Sequence, residues 1–282
     1  MPELPRRYRL AGRLPLTWRG EGVLQLGLDA AGIVLEGVPA GVADAVTALA
    51  EPRTIAELER LAPGLPAPWL PWLLARLDSA GLLATDPGRS PRFGLIGDGV
   101  LADQIADGVT RAGPAEVVRF SHARRPRPND SPLPHWGRLT DELPAFVVIA
   151  TDTQEPDRIL TDALARTGRT HLIVRLEADR AVVGPLVSPG STPCVRCQDL
   201  LRCRYDPAWP ILAAQLCRDR PVPDPTLLAW AVSTVVVQIQ CQLRGGEPDV
   251  TGRTLELHAT GLTLHTREWP VHPGCGCTLA VA

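Results

Sequence analysis

The feature that most constrains this chain is a set of four cysteines in two close pairs, Cys194-Val195-Arg196-Cys197 and, much later, Cys275-Gly276-Cys277. A C-x-x-C turn presents two thiolates on one backbone knuckle at a spacing common among structural zinc ligands. In the tighter second pair, Gly276 lets the backbone fold sharply enough for both sulfurs to reach one metal. Read together, the pairs form one tetrahedral zinc site that ties the end of a sheet to the C-terminal tail. His272, just before the second pair, offers a substitute ligand or a supporting contact and ranks behind the four thiols. Buried free thiols and disulfides are the alternatives. Both pairs lie in Pro/Gly turns rather than apolar runs, which disfavours core thiols. Met1 to Arg7 leads into polar sequence without a signal-peptide pattern, so the expected compartment is a reducing cytoplasm, where thiols favour metal over cross-links.

A chain of 282 residues with 45% apolar content has material for two cores, one small and one of ordinary domain size. The net charge of −2 and pI near 6.3 argue against a nucleic-acid partner. The basic run Arg124-Arg125-Pro126-Arg127 is short and proline-broken, and reads as a solvated loop. Leu227 to Leu243 is the longest apolar stretch. It carries Ser233, Thr234, Gln238, Gln240 and Gln242, which suits a buried helix better than a membrane span.

Taken in order, Leu14–Arg19, Val23–Leu26 and Ile33–Leu35 read as three short antiparallel strands, the last turn falling at 29–32. Val42 to Ala50 has helical spacing, Thr54-Ile-Ala-Glu57 is a capping box opening a second helix, and Pro68 to Ala80 forms a third that ends at Gly81. Linker composition follows over Thr85–Pro91. Phe93–Ile96, the glycine turn Gly97-Asp98-Gly99 and a helix over Ala102–Ala112 then give the strand, turn and helix of a nucleotide-binding βαβ unit. The acid that would meet a ribose after the next strand, Val117–Phe120, is absent; Ser121-His122-Ala123-Arg124 stands there. Phe146–Ala150 is a buried parallel strand, and Asp152 at its carboxyl end either holds a Mg²⁺-nucleotide or caps a helix starting near Glu155. Further elements are a helix over Asp157–Thr167, a parallel strand at His171–Val174, a strand at Ala181–Val187, and a hairpin turning at Thr260-Gly261. Cys203 and Cys217 flank Tyr205–Pro210 in an expected crossover loop, and Cys241 lies in the apolar helix.

The pattern Thr54-Ile-Ala-Glu-Leu58, the row Leu73, Leu74 and Leu77, and Gly81-Leu82-Leu83 resemble the PqqD-type domain, the winged-helix-like unit that binds leader peptides in ribosomal peptide natural-product enzymes. That resemblance implies that a leader adds as a strand to the sheet edge and packs on the third helix. Packing or dimerisation alone is the alternative use of such a unit; DNA binding is weaker, because the third helix is apolar with only Arg76 as a base. The glycine turn at Gly97, Asp152, Gly184-Pro-Leu-Val187, Pro193–Cys197 and His272–Cys277 resemble the ThiF-like, ubiquitin-activating-enzyme-like fold, most nearly its branch in thiazole/oxazole-modified peptide biosynthesis.

The two resemblances imply an α/β chain with a small winged-helix unit at 1–88 and a Rossmann-type ThiF-like domain with a tetra-cysteine zinc site at 89–282. The implied role is a leader-peptide-binding partner of a separate YcaO-type cyclodehydratase that forms azolines, with a homodimer as the common assembly of ThiF-like relatives. Gly97, Gly99 and Asp152 are then the residues of a nucleotide site that has decayed. Active adenylating relatives use a lysine on ATP phosphates, whereas all 29 basic residues here are arginine. The other reading is an ATP-dependent activating enzyme that adenylates the C-terminus of a small modifier protein.

Overall fold

A computed structural model describes residues 6–12, 14–28, 32–84, 91–121, 143–222 and 224–278. The expected turn at 29–31, the linker at 85–90 and the segment His122–Asn129, with its basic run, lie outside the described residues. The chain separates into two compact units, Met1–Arg89 and Ser90–Ala282.

In the first unit, β2 (Leu16–Gly20), β3 (Val23–Leu26) and β4 (Ile33–Glu36) form an antiparallel sheet in that order. β1 (Arg9–Leu10) pairs with β5 (Leu83–Ala84). Alternation selects the inner face: Leu24, Leu26, Ile33 and Leu35 are buried while Val34 faces out. Helices α1 (Val42–Ala48), α2 (Ile55–Leu61) and α3 (Trp69–Ser79) complete the core through Leu49, Leu58, Leu73 and Leu77. The capping box at α2 is formed in full, Thr54 Oγ1 accepting from the Glu57 amide and Glu57 accepting from the Thr54 amide at 2.8 Å. Leu82 N–H then donates to the Leu77 carbonyl past Gly81, whose positive φ of 67° closes α3.

The second unit is a seven-stranded mixed sheet between two helical layers. β6 (Arg92–Ile96), α4 (Val100–Ala112), β7 (Glu116–Phe120), β8 (Phe146–Ala150), α5 (Arg158–Arg166), β9 (Thr170–Leu176) and β10 (Arg180–Val187) come first. α6 (Val195–Tyr205), α7 (Trp209–Leu216), α8 (Pro225–Leu243), β11 (Arg253–His258) and β12 (Leu264–Glu268) follow. The spatial order is β12-β11-β10-β9-β8-β6-β7, with β7, β6, β8 and β9 parallel and the last three strands antiparallel. The chain reverses direction across the sheet between β6 and β8, the place where open α/β sheets form ligand crevices at strand carboxyl ends.

Every residue of β8 is buried because both faces are covered. One face packs Leu95, Val148 and Val174 against α4 and α8; the other packs Ile96, Ile149 and Ile173 against Leu160, Leu164 and Val195 of α5 and α6. α8 is long and apolar enough by length and composition to cross a membrane. Its stripe Leu227, Leu228, Ala231, Val232, Val235 and Ile239 is buried on this core at helical spacing. Gly108 of α4 permits the close approach, since a Cβ there would lie 2.9 Å from Val236 Cγ2.

Candidate metal centre and sheet-edge crevice

β10 ends at Val187, and the chain turns through Ser188–Pro193 to place Cys194 as the N-cap of α6 and Cys197 in its first turn. The Cys197 amide donates to the Cys194 carbonyl at 3.0 Å, which fixes the knuckle. The tail returns with Gly276 at a φ of 73°, the backbone state that glycine favours between two cysteines. Cys194 and Cys275 sulfurs are 3.4 Å apart, Cys197 and Cys277 sulfurs 3.5 Å apart, and all four lie within 4.8 Å of one another. Four thiols in this arrangement form a group able to hold a metal ion. His272 does not join it with its ring. Its Nδ1 accepts from the Gly274 amide at 3.0 Å, and its backbone N–H donates to Cys197 Sγ at 3.4 Å.

The thiols differ in acidity. Burial pushes Cys194 well above the usual thiol range and Cys275 up to about 11. Cys197, although burial opposes it, falls below its usual value because the His272 amide and the α6 backbone stabilise its thiolate. The protein alone thus favours the Cys197 thiolate, and a cation is what would let Cys194 and Cys275 lose their protons.

The expected nucleotide residues meet at the carboxyl ends of β6 and β8. A Cβ on Gly97 would overlap the backbone carbonyl of Ala150, so close approach requires glycine there; one on Gly99 would meet the Asp152 carboxylate, a side chain that would have to turn aside. Gly99 to Leu101 at the start of α4, Thr151, Asp152, Leu176, Arg220 and Pro221 line a crevice of about 260 Å³. Asp152 does not cap α5: Asp157 does, accepting from the Ile159 amide at 2.8 Å. At the end of β7, where a ribose-binding acid was missing from the sequence, Arg119 donates to Asp103 at 2.6 Å and to the Gly97 carbonyl at 3.3 Å. Sequence reasoning did not bring Leu176 or Arg220 to this crevice. Arg220 follows α7 in a segment that hydrogen-bonds back to the β8 loop, Gln154 N–H donating to the Asp219 carbonyl at 3.1 Å. Local pattern carries no signal for that return.

Cys203 and Cys217 also differ from expectation. They lie at α6 and at the C-cap of α7, helices rather than a loop. Both line a cavity of about 480 Å³ with Ile159, Trp209 and Ala213. Cys217 donates to the Pro156 carbonyl at 3.2 Å, and its pKa is raised by burial, so it is not an activated nucleophile.

No family model and no curated protein matches the chain. Among solved structures it is similar to a heterocyclase in complex with substrate and cofactor, with a TM-score of 0.65, 15% identity and coverage of 97% of this chain and 39% of that one. It is similar also to the heterocyclase TruD, with a TM-score of 0.60, 16% identity and coverage of 97% and 43%. Escherichia coli MccB in complex with ATP gives a TM-score of 0.55, 12% identity and coverage of 96% of this chain and 99% of that one. The chain spans about two fifths of the length of the heterocyclases it matches. At these identities the likeness is one of fold.

Proposed function

We propose that this chain is a peptide-presenting subunit of azoline biosynthesis, capturing a precursor's leader on its first unit and serving a separate YcaO-type cyclodehydratase. The observation that carries this reading is the heterocyclase likeness, which takes in 97% of this chain and 39–43% of those proteins. In this reading the first unit is a PqqD-like winged-helix domain. β2 and β4 are the outer strands of its sheet among the described residues, and a leader adding as a strand would gain main-chain hydrogen bonds while seating apolar side chains. Trp18 of β2 and Trp72 of α3, about half exposed, supply apolar contact on that unit, and Trp69 holds Trp72 edge-on at 5.0 Å.

The second unit is, on the same reading, a ThiF-like Rossmann-type domain in which Zn²⁺ is held by Cys194, Cys197, Cys275 and Cys277. Zinc supplies structure there: closed four-thiolate coordination leaves no position for substrate. Arg119 supports the view that the nucleotide site has decayed, because it ties Gly97 and Asp103 together where a ribose would need an acceptor. Fluorescence anisotropy with a labelled leader of the cognate precursor tests the proposal. Submicromolar binding that Trp72→Ala weakens tenfold or more supports it; no saturable binding refutes it.

A second reading rests on the crevice itself. Gly99 and Asp152 line it with Arg220, next to the turn at Gly97, and MccB, matched over 99% of its length, has been crystallised with ATP. An ATP-dependent activating enzyme acting on a peptide or protein C-terminus would use these residues, with Arg220 on phosphate and Asp152 on Mg²⁺. Pyrophosphate exchange separates the two readings.

A further inference from the structure

Beside the crevice, along the same 151–155 segment, lies a second cavity of about 190 Å³, whose lining includes Glu155, Glu177, Arg180, Arg202, Glu256 and Arg267. These residues come from the β8 loop, the β9–β10 turn, α6, β11 and β12. Their ion pairs run without a break. Glu155 takes Arg158 at 2.9 Å, Arg202 at 2.7 Å and Arg175 at 3.5 Å; Arg175 continues to Glu177 at 3.1 Å; Arg180 joins Glu177 at 2.6 Å to Glu256 at 3.5 Å; Arg267 closes on Glu256 at 3.0 Å. With Asp199 on Arg158, the network holds four carboxylates and five guanidiniums.

The two signs are not equally engaged. All six carboxylate oxygens of Glu155, Glu177 and Glu256 already accept a hydrogen bond or an ion pair. The arginines on the lining have donors to spare. Among the described residues Arg202 makes one hydrogen bond, from a terminal nitrogen to Glu155, and Arg267 makes one, from Nε to Glu256. Arg180 engages Nε and one terminal nitrogen. Trp209, also on the lining, stacks against the Arg202 guanidinium at 4.4 Å and holds its plane. The lining is charge-balanced, three carboxylates against three guanidiniums, and its unengaged groups include arginine N–H donors, which suit an acceptor-only anion.

We propose that this cavity binds a monoanionic carboxylate, held by the free nitrogens of Arg202, Arg267 and Arg180. The site is independent of leader binding on the first unit and of nucleotide in the neighbouring crevice. Its size admits the carboxylate of a small acid or the end of a peptide, and a planar carboxylate matches the guanidinium fork better than a point charge would.

Titration calorimetry of the full chain with N-acetylglycine is the test, with the uncharged N-acetylglycinamide and sodium chloride at matched ionic strength as controls. The expected result is saturable binding of N-acetylglycine and none of the amide. Acetate resolves the source: binding weaker than that of N-acetylglycine assigns the site to a chain terminus, and equal binding assigns it to small carboxylates. Two variants guard against a folding artefact. Arg202→Lys keeps a cation on Glu155 but loses the fork, and Arg267→Gln alters a half-exposed rim residue. Each should weaken binding at least tenfold while the ligand-free Tm stays within a few degrees. Equal heats from the amide or from matched salt, or unchanged affinity in both variants, would overturn the proposal.

Discussion

The four-thiol cluster and the crevice at the ends of β6 and β8 stand on one sheet, yet they are built in different ways. The cluster takes all its side-chain ligands from two short motifs and gathers them within 4.8 Å, with a backbone amide of the same tail supporting one sulfur. The crevice takes Gly99 from one loop, an acid from another, and Leu176 and Arg220 from elements far along the chain. A site whose chemistry is local in sequence comes with its geometry; a site assembled from strand ends depends on what the intervening chain brings back over it.

The largest effect should come from breaking the cluster. Cys194→Ser or Cys277→Ser is expected to abolish stoichiometric zinc and to loosen the second unit, since structural zinc contributes on the order of 10 kcal/mol in small sites. Metal analysis together with thermal melting checks this, and one equivalent of zinc retained in both variants would remove the zinc assignment. Next comes the arginine network. Glu155→Gln removes the charge that faces three guanidiniums and should cost about 3–5 kcal/mol, as unpairing a buried ion network does.

Acid titration should resolve two further contributions. Burial pushes His171 down to about 4, and its Nε2 has no partner among the described residues. Below its ordinary pKa of about 6.5 the unfolded chain takes up a proton that the native state refuses, so stability falls as pH drops from about 6.5 to 4. Burial opposes ionisation of Glu155 too, but Arg175, Arg202 and Arg158 together hold it down to about 2. The stability it contributes is present above its unfolded pKa, near 4.5, and is lost as pH falls toward 2. His171→Leu should flatten the upper part of the acid limb and Glu155→Gln the lower part; Tm against pH for the two variants is the check. The smallest effect expected is in the first unit, where Thr54→Ala removes the α2 cap and should cost about 1 kcal/mol in urea unfolding.

What the sequence made legible follows the same division. The cysteine pairs, the Thr54–Glu57 capping box and the fully apolar β8 are each encoded by neighbours a few residues apart, and each is present in the fold. The Tyr205–Pro210 stretch read as a crossover loop because its prolines masked helix starts: Pro210 sits at an N-terminal position of α7, where a missing N–H costs nothing. Asp152 drew the capping role that belongs to Asp157, since any acid ahead of a helical pattern carries the same local signal. The arginine network left no trace in the sequence. Arg158, Arg175, Arg180, Arg202 and Arg267 are scattered singly over α5, β9, β10, α6 and β12, and only the sheet order brings them together.

Calorimetric titration of the purified, zinc-loaded chain with Mg-ATP, followed by pyrophosphate exchange, tests the central claim most directly. A peptide-presenting subunit with a decayed crevice gives no saturable heat and no exchange. Micromolar binding with exchange that Asp152→Ala abolishes would contradict the account and identify the crevice as a working adenylation site.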